Sequence, residues 1–119
     1  MKPLPQGHGE PEVAHRLLLA DRLAGIEART AEASAFLKLL ANNRRLMLLC
    51  VLCEHAELPA GELAARVGLS QSALSQHLAR LRADGLVAFR RDGLMLHYRL
   101  ADARVRPVLA TLRDIFCPA

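Results

Sequence analysis

Three cysteines are the residues of this chain best suited to chemistry. Cys50 and Cys53 stand three positions apart in the apolar run 46–53, and Cys117 lies far from them in the sequence. A thiolate is a nucleophile and a ligand for soft metals, whereas a thiol within an apolar run commonly packs in a core. Cys50 and Cys53 formally match the Cys-x-x-Cys of thiol oxidoreductases. However, the run predicts a mid-helix position without the βαβ context in which such a pair is activated. No other catalytic set accompanies the thiols, so the chain is not predicted to be an enzyme.

Residues 60–83 predict two short helices joined by a tight turn. The first, 60–67, has one apolar face and ends at Gly68, a residue that tolerates the left-handed backbone of a helix end. Ser70 is placed to cap the second helix. That helix turns one face inward through an i, i+4, i+7 repeat of Leu74, Leu78 and Leu81. Its other face carries short polar groups able to hydrogen-bond with base edges, namely Gln71, Ser72, Ser75 and Gln76.

A β-hairpin with a basic tip follows the second helix, over residues 86–100. Asp92-Gly93 is a strong hairpin turn signal, and Arg90 and Arg91 beside it suit contact with phosphates or the minor groove. The order predicts a winged helix-turn-helix that binds double-stranded operator DNA. Its predicted DNA contacts are Ser70, Gln71, Ser72, Ser75, Gln76, His77, Arg80, Arg90 and Arg91.

Composition and charge agree with a DNA-binding protein. Residues 66–106 hold eight arginines and three aspartates, a net charge of +5, whereas the rest of the chain holds eight basic and nine acidic side chains, or −1. Aromatic residues make up only 3% of the 119, too few for a surface that stacks single-stranded bases. Without an apolar run long enough for a membrane or a signal peptide, the chain is expected to be cytoplasmic, with reduced thiols.

The flanking segments predict helices around this DNA-binding unit. After a flexible tail, 1–11, one domain is expected over 12–119, starting with a helix over 12–28 whose broad apolar stripe fits either core packing or a dimer interface. A break over 30–34, a short helix over 35–41 and a helix over 44–54 capped by Asn42 follow. This last helix is apolar on every side and is predicted to be buried. A final helix over 103–116 completes a mainly α fold with a β-hairpin wing, expected to be a homodimer through its N-terminal and C-terminal helices.

With this order of elements, the chain resembles the ArsR/SmtB family of bacterial repressors over roughly residues 33–117. The matching segments are 39–42 leading into Arg45-Leu46, then 69–78, 81–87, 90–93 and 97–100. Members of that family are homodimers that release operator DNA when an inducer occupies a sensing site. The resemblance implies the same behaviour here.

The same resemblance limits the kind of sensing site. The Cys-x-Cys pair of the arsenic sensors would fall at Pro59 and Gly61, and the zinc ligands of the last helix are missing because residues 103–116 hold Asp114 but no histidine. Cys50 and Cys117 are similar in position to the cysteines of the persulfide-responsive subgroup of SqrR and BigR type. The resemblance implies that reactive sulfur species join these two residues through a polysulfide bridge, without a cofactor or a metal. Extra sulfur atoms would span a gap wider than the ~5.5 Å Cα separation typical of a disulfide.

Two other functions remain open. Three thiolates from Cys50, Cys53 and Cys117 suit a soft metal or metalloid such as arsenite or cadmium, with His55 or His97 as a further ligand in principle. From another class, a DNA-binding architectural protein with no sensor would have a DNA affinity indifferent to every thiol reagent.

Overall fold

The structure, a computed structural model, describes residues 10–117 and divides into two compact units after Lys38. Five helices and a small sheet make up the described chain. In chain order they are α1 (Glu10–Leu40), α2 (Asn43–Cys53), β1 (Leu58–Pro59), α3 (Ala60–Val67), α4 (Gln71–Ala83), β2 (Val87–Asp92), β3 (Met95–Leu100) and α5 (Val105–Phe116). The prediction of a mainly helical winged helix-turn-helix is confirmed, while the single domain over 12–119 stays a prediction.

α1 is one continuous helix of 31 residues, so the predicted break over residues 30–34 is wrong. Thr30 does not end the helix, because its hydroxyl donates to the carbonyl oxygens of Ile26 and Glu27 at 2.8 and 3.0 Å. Alanines surround it at positions 28, 31, 33 and 35, and alanine is the strongest helix former. The helix begins at Glu10, and residues 1–9 of the predicted tail lie outside the described residues.

The apolar stripe of α1 is open to solvent. Every residue from 13 to 35 is exposed, and the large apolar side chains there expose 41% to 63% of their surface. They are Val13, Leu17, Leu18, Leu19, Leu23 and Ile26. The stripe is therefore an unpaired surface of the single chain, which bears on the dimer proposed below.

α2 starts as predicted, at a cap made by Asn42. The side-chain oxygen of Asn42 accepts a hydrogen bond from the backbone N–H of Arg45 at 3.1 Å. The prediction that α2 is buried on every side is wrong, because only Leu48, Leu49 and Leu52 are buried while Cys50 is exposed. In a small domain the neighbouring elements do not close around a whole helix, so an all-round apolar sequence leaves one face partly open to solvent. That outer face carries Cys50.

The helix-turn-helix forms as predicted. Gly68 ends α3 with φ 67°, and its N–H bonds to the carbonyl oxygen of Ala64. The leucine repeat of α4 is 0–2% exposed. It packs in a core whose largest fully buried side chains are Leu48, Leu49, Leu52, Leu63, Leu78, Leu81, Leu86 and Val105.

The wing is a three-stranded antiparallel sheet in the order β1-β3-β2. The hairpin is confirmed, with Asp92 paired to Met95 and a two-residue loop of Gly93 and Leu94. Gly93 adopts φ 62°, the left-handed conformation that such loops require. The sequence did not indicate β1, since two residues containing a proline form no recognisable strand pattern.

α5 begins at Val105, two residues later than predicted. The Asp102 carboxylate accepts a hydrogen bond from the Arg104 backbone N–H at 2.9 Å, which closes a turn ahead of the helix. Val105 and Leu109 are buried, while Ile115 and Phe116 near the other end expose 62% and 75%. None of the helices within residues 10–117 is long and apolar enough to cross a membrane.

Candidate DNA interface and dithiol site

The outward face of α4 presents the polar groups that the sequence singled out. Gln71, Ser72, Ser75 and Gln76 are all exposed, opposite the buried leucines of the same helix. The Ser70 hydroxyl oxygen accepts from the Ala73 backbone N–H at 3.1 Å, so its first role is to cap the helix. The cap thus fixes the first turn of α4, which carries the first of the polar side chains predicted to contact bases.

His77 and Arg80 follow these residues on α4 and differ in exposure. His77 is half-buried, while the Arg80 guanidinium lies 3.8 Å from the carboxylate of Asp84 one turn later. Asp84 also faces Arg45 of α2 at 3.5 Å. Arg80 is 71% exposed, so this weak pair leaves it able to reach a phosphate.

Arg90 and Arg91, the two arginines of β2, lie in different surroundings. The Arg90 guanidinium donates to both carboxylate oxygens of Glu57, with contacts of 2.5 to 3.0 Å. These hydrogen bonds hold the pKa of Glu57 below its usual range. Arg91 is exposed, and no ion pair engages it in the part of the chain that the structure describes. Of these two arginines, Arg91 is therefore the one that presents an uncommitted charge.

A groove of about 340 Å³ separates α4 from the wing. Gln71 and Ser75 of α4 line one side, and Leu94 to Leu96 of the wing line the other. Leu94 stands fully exposed in the wing loop. The structure thus brings the predicted base-contacting face and the wing to one side of the domain.

Cys50 and Cys117, the pair that the resemblance singled out, line one cavity between α2 and α5. Its volume is about 630 Å³, and mostly apolar side chains form its wall: Leu46, Leu109, Leu112 and Phe116. Both thiols are free and exposed. Cys117 follows the last turn of α5, where its backbone N–H bonds to the Arg113 carbonyl oxygen at 2.7 Å.

An ion pair borders this cavity. The Arg113 guanidinium of α5 lies 3.6 Å from the Glu54 carboxylate at the end of α2. Burial raises the pKa of the Cys50 thiol, Arg113 opposes that rise, and the charges of Cys117 and Glu54 add to it. The resting site therefore holds Cys50 chiefly as a thiol at neutral pH, with a cation close enough to stabilise its thiolate.

Cys53 is placed differently from the other two thiols. It is half-buried, does not line the cavity, and burial raises its pKa while Arg106 lowers it. Arg106 donates to the backbone carbonyl oxygens of Cys53 and His55, and so joins the start of α5 to the end of α2. Within residues 10–117, no three cysteine, histidine or carboxylate side chains gather as a set that could hold a metal ion.

Sequence reasoning missed Glu54, Glu57 and Arg113. A local signal existed for two of them, because Glu54 follows Cys50 by four residues and Arg113 precedes Cys117 by four. That spacing of about one helical turn brings each charge near its thiol at the end of the helix. No comparable signal links Glu57 to Arg90, since their contact depends on the fold of the wing.

Comparisons with known proteins agree with this arrangement. Residues 42–88 match the model of the bacterial regulatory protein, arsR family. The transcriptional activator HlyU of Vibrio cholerae serotype O1 is 45% identical over 97 residues, which cover 82% of this chain and 89% of HlyU.

Solved structures extend the likeness to the fold. The crystal structure of the transcriptional repressor BigR from Xylella fastidiosa is 38% identical, with a TM-score of 0.74 over 81% of this chain and 97% of BigR. The antimony-specific transcriptional repressor AntR is 34% identical, with a TM-score of 0.68 over 74% of this chain and 79% of AntR. These relatives are transcriptional regulators rather than enzymes, and the chain belongs to the ArsR family of bacterial regulatory proteins.

Proposed function

We propose that this regulator is a dithiol repressor, which binds operator DNA when reduced and releases it when reactive sulfur species link Cys50 and Cys117. The observation that carries the proposal is the shared cavity, since a free thiol of α2 and a free thiol just after α5 open into the same space. The similarity to the BigR repressor supports the direction of regulation.

The proposed reaction uses a persulfide as its own oxidant. The Cys50 thiolate attacks the outer sulfur of R–S–SH, the S–S bond breaks, and R–S⁻ leaves and takes up a proton. Cys117 becomes Cys117–S–SH in the same way. Its deprotonated outer sulfur then attacks Sγ of Cys50 and expels HS⁻, which leaves a three-sulfur bridge between the two residues.

A homodimer completes the proposed DNA-binding unit. The exposed apolar residues of α1, and Ile115 and Phe116 of α5, give each of these helices an apolar surface that a second copy can cover. Two copies double the phosphate contacts and place two α4 helices about one DNA turn apart. In this arrangement α4 meets base edges and the wing meets the DNA backbone or minor groove.

Sensing of a soft metalloid is the second candidate, and the likeness to the antimony-specific repressor AntR favours it. It needs Cys53 to join Cys50 and Cys117 as a third thiolate. Because Cys53 lies outside the cavity that holds the other two, α2 or α5 would have to rearrange on binding.

Fluorescence anisotropy on the DNA upstream of the protein's own gene tests the two candidates together. The reduced protein is compared with the same sample after treatment with glutathione persulfide, and with arsenite in a parallel cell. Release by persulfide that dithiothreitol reverses, with no effect of arsenite, is the expected result. Release by arsenite alone would refute the dithiol switch and favour a three-thiolate site. DNA binding that neither reagent changes would refute both sensing functions.

Base contacts by α4 and phosphate contacts by the wing predict two different defects when they are lost. Gln76→Ala should weaken the correct operator by about 1–3 kcal/mol and relax the choice of sequence, because an amide that reads a base edge is lost. Arg91→Ala should weaken binding to all DNA sequences alike, because a phosphate contact is lost. The slope of the logarithm of the binding constant against the logarithm of the salt concentration should fall by about one. Binding titrations on operator and scrambled DNA at several salt concentrations measure the two defects. Equal losses of affinity for the two variants on the two DNAs would refute the separate roles of α4 and the wing.

A further inference from the structure

The cavity that holds Cys50 and Cys117 is larger than two thiols need. About 630 Å³ of space opens between α2 and α5, mostly against apolar side chains, so the group carried by a persulfide can enter together with its sulfur. The wall contains one cation, the guanidinium of Arg113, and one carboxylate, that of Glu54, which lies 3.6 Å from it. The size and the lining thus fit an organic molecule that has one anionic end.

Arg113 is available to such an anion. Its side chain is 49% exposed, and its 3.6 Å contact with Glu54 is longer than a normal hydrogen bond. Glu54 also caps the C-terminal end of α2, where the helix dipole disfavours a carboxylate. A carboxylate arriving on a ligand can therefore replace Glu54 as the partner of Arg113.

We propose that Arg113 is a positioning residue that binds the carboxylate of an acidic organic persulfide and so brings its outer sulfur to Cys50. This inference rests on the proposed function and names its substrate class. The displaced Glu54 would turn to solvent, where it already exposes 59% of its side chain. The influence of Arg113 on the pKa of Cys50 is consistent with this closeness.

The test uses two alkylating reagents that differ mainly in charge. Iodoacetate and iodoacetamide both form an S–C bond with the Cys50 thiolate and release iodide, but only iodoacetate carries a carboxylate. The ratio of their rates at Cys50 is followed by mass spectrometry of the full chain in a Cys53→Ser/Cys117→Ser background, where Cys50 is the remaining thiol. Because both reagents attack the thiolate, this ratio cancels any change in thiol pKa. Arg113→Gln should lower this ratio roughly two- to fivefold, the range expected for a half-exposed charge pair.

Matched variants show whether Arg113 acts through its charge or only supports the local structure. Arg113→Lys should keep most of the ratio because it keeps the cation, while Glu54→Gln should raise the ratio because it removes the competing carboxylate. An equal ratio in wild type and Arg113→Gln would overturn the proposal, as would a loss in Arg113→Lys as large as that in Arg113→Gln. Circular dichroism confirms that each variant is folded.

A second arm uses the persulfides of 3-mercaptopropionate and of its amide, with release of DNA as the readout. Wild type should respond faster to the acid, and Arg113→Gln should respond to both equally. If neither persulfide releases DNA, the proposed sensing function fails while the alkylation ratio still tests Arg113. If both release DNA at the same rate in wild type, the proposed function stands and the role of Arg113 falls.

Discussion

Replacement of Cys50 by serine is expected to leave operator affinity within about twofold of wild type and to abolish release by persulfide. Cys50 is exposed on the outer face of α2, so the exchange of sulfur for oxygen disturbs no core contact and falls among nearly neutral surface substitutions. Without that thiol no bridge to Cys117 can form. Anisotropy titrations before and after treatment with glutathione persulfide measure both properties.

Cys117→Ser should behave in the same way, because the bridge needs both sulfur atoms. Cys53→Ser is the matched control. It removes a thiol from the same helix that lies outside the cavity, and it should keep full release. Full release by either Cys50→Ser or Cys117→Ser would refute the pairing, and loss of release in Cys53→Ser would favour a three-thiolate site.

The effect of pH on Cys50 follows from the direction of its pKa shift. Because the pKa lies above its ordinary value, the thiolate fraction at pH 7 is small and grows about tenfold per pH unit until the pKa is reached. Release by persulfide should therefore accelerate with rising pH for as long as attack by Cys50 limits the rate. Glu54→Gln removes a charge that raises this pKa, so it should speed the reaction at neutral pH.

The fold was largely predictable because its signals are local. The leucine repeat of α4, the glycine that ends α3 and the cap made by Asn42 each act within a few residues, and all three are confirmed. Errors arose where the outcome depends on neighbours. Thr30 looked like a break but bonds within its own helix, and the all-apolar α2 keeps Met47 and Cys50 exposed.

The candidate dithiol site was also predicted only in part. The resemblance to the persulfide-responsive subgroup, rather than spacing or composition, singled out Cys50 and Cys117, and both residues line one cavity in the structure. The charges that tune the site were not predicted. Arg113 and Glu54 meet only when α5 packs beside α2, and Glu57 reaches Arg90 only across the wing.

Leu78→Ala should lower the free energy of unfolding by about 2–5 kcal/mol, the cost of deleting a fully buried leucine and leaving a cavity. Leu78 exposes 1% of its surface and anchors the centre of α4 to the core. Urea denaturation at one fixed protein concentration measures the change, since an associating protein gains stability with concentration.

Ser75→Ala is the matched control on the opposite face of α4. It should change the free energy of unfolding by less than about 0.5 kcal/mol, because its side chain is exposed. Its defect should be in operator binding instead, since the lost hydroxyl lies in the groove beside the wing. Leu78→Ala should show the reverse, with an unchanged ranking of DNA sequences in the fraction that stays folded.

A loss of less than about 1 kcal/mol in the free energy of unfolding of Leu78→Ala would mean that α4 is not fixed by its buried face. The exposed face would then lack the rigid support that reading base edges requires.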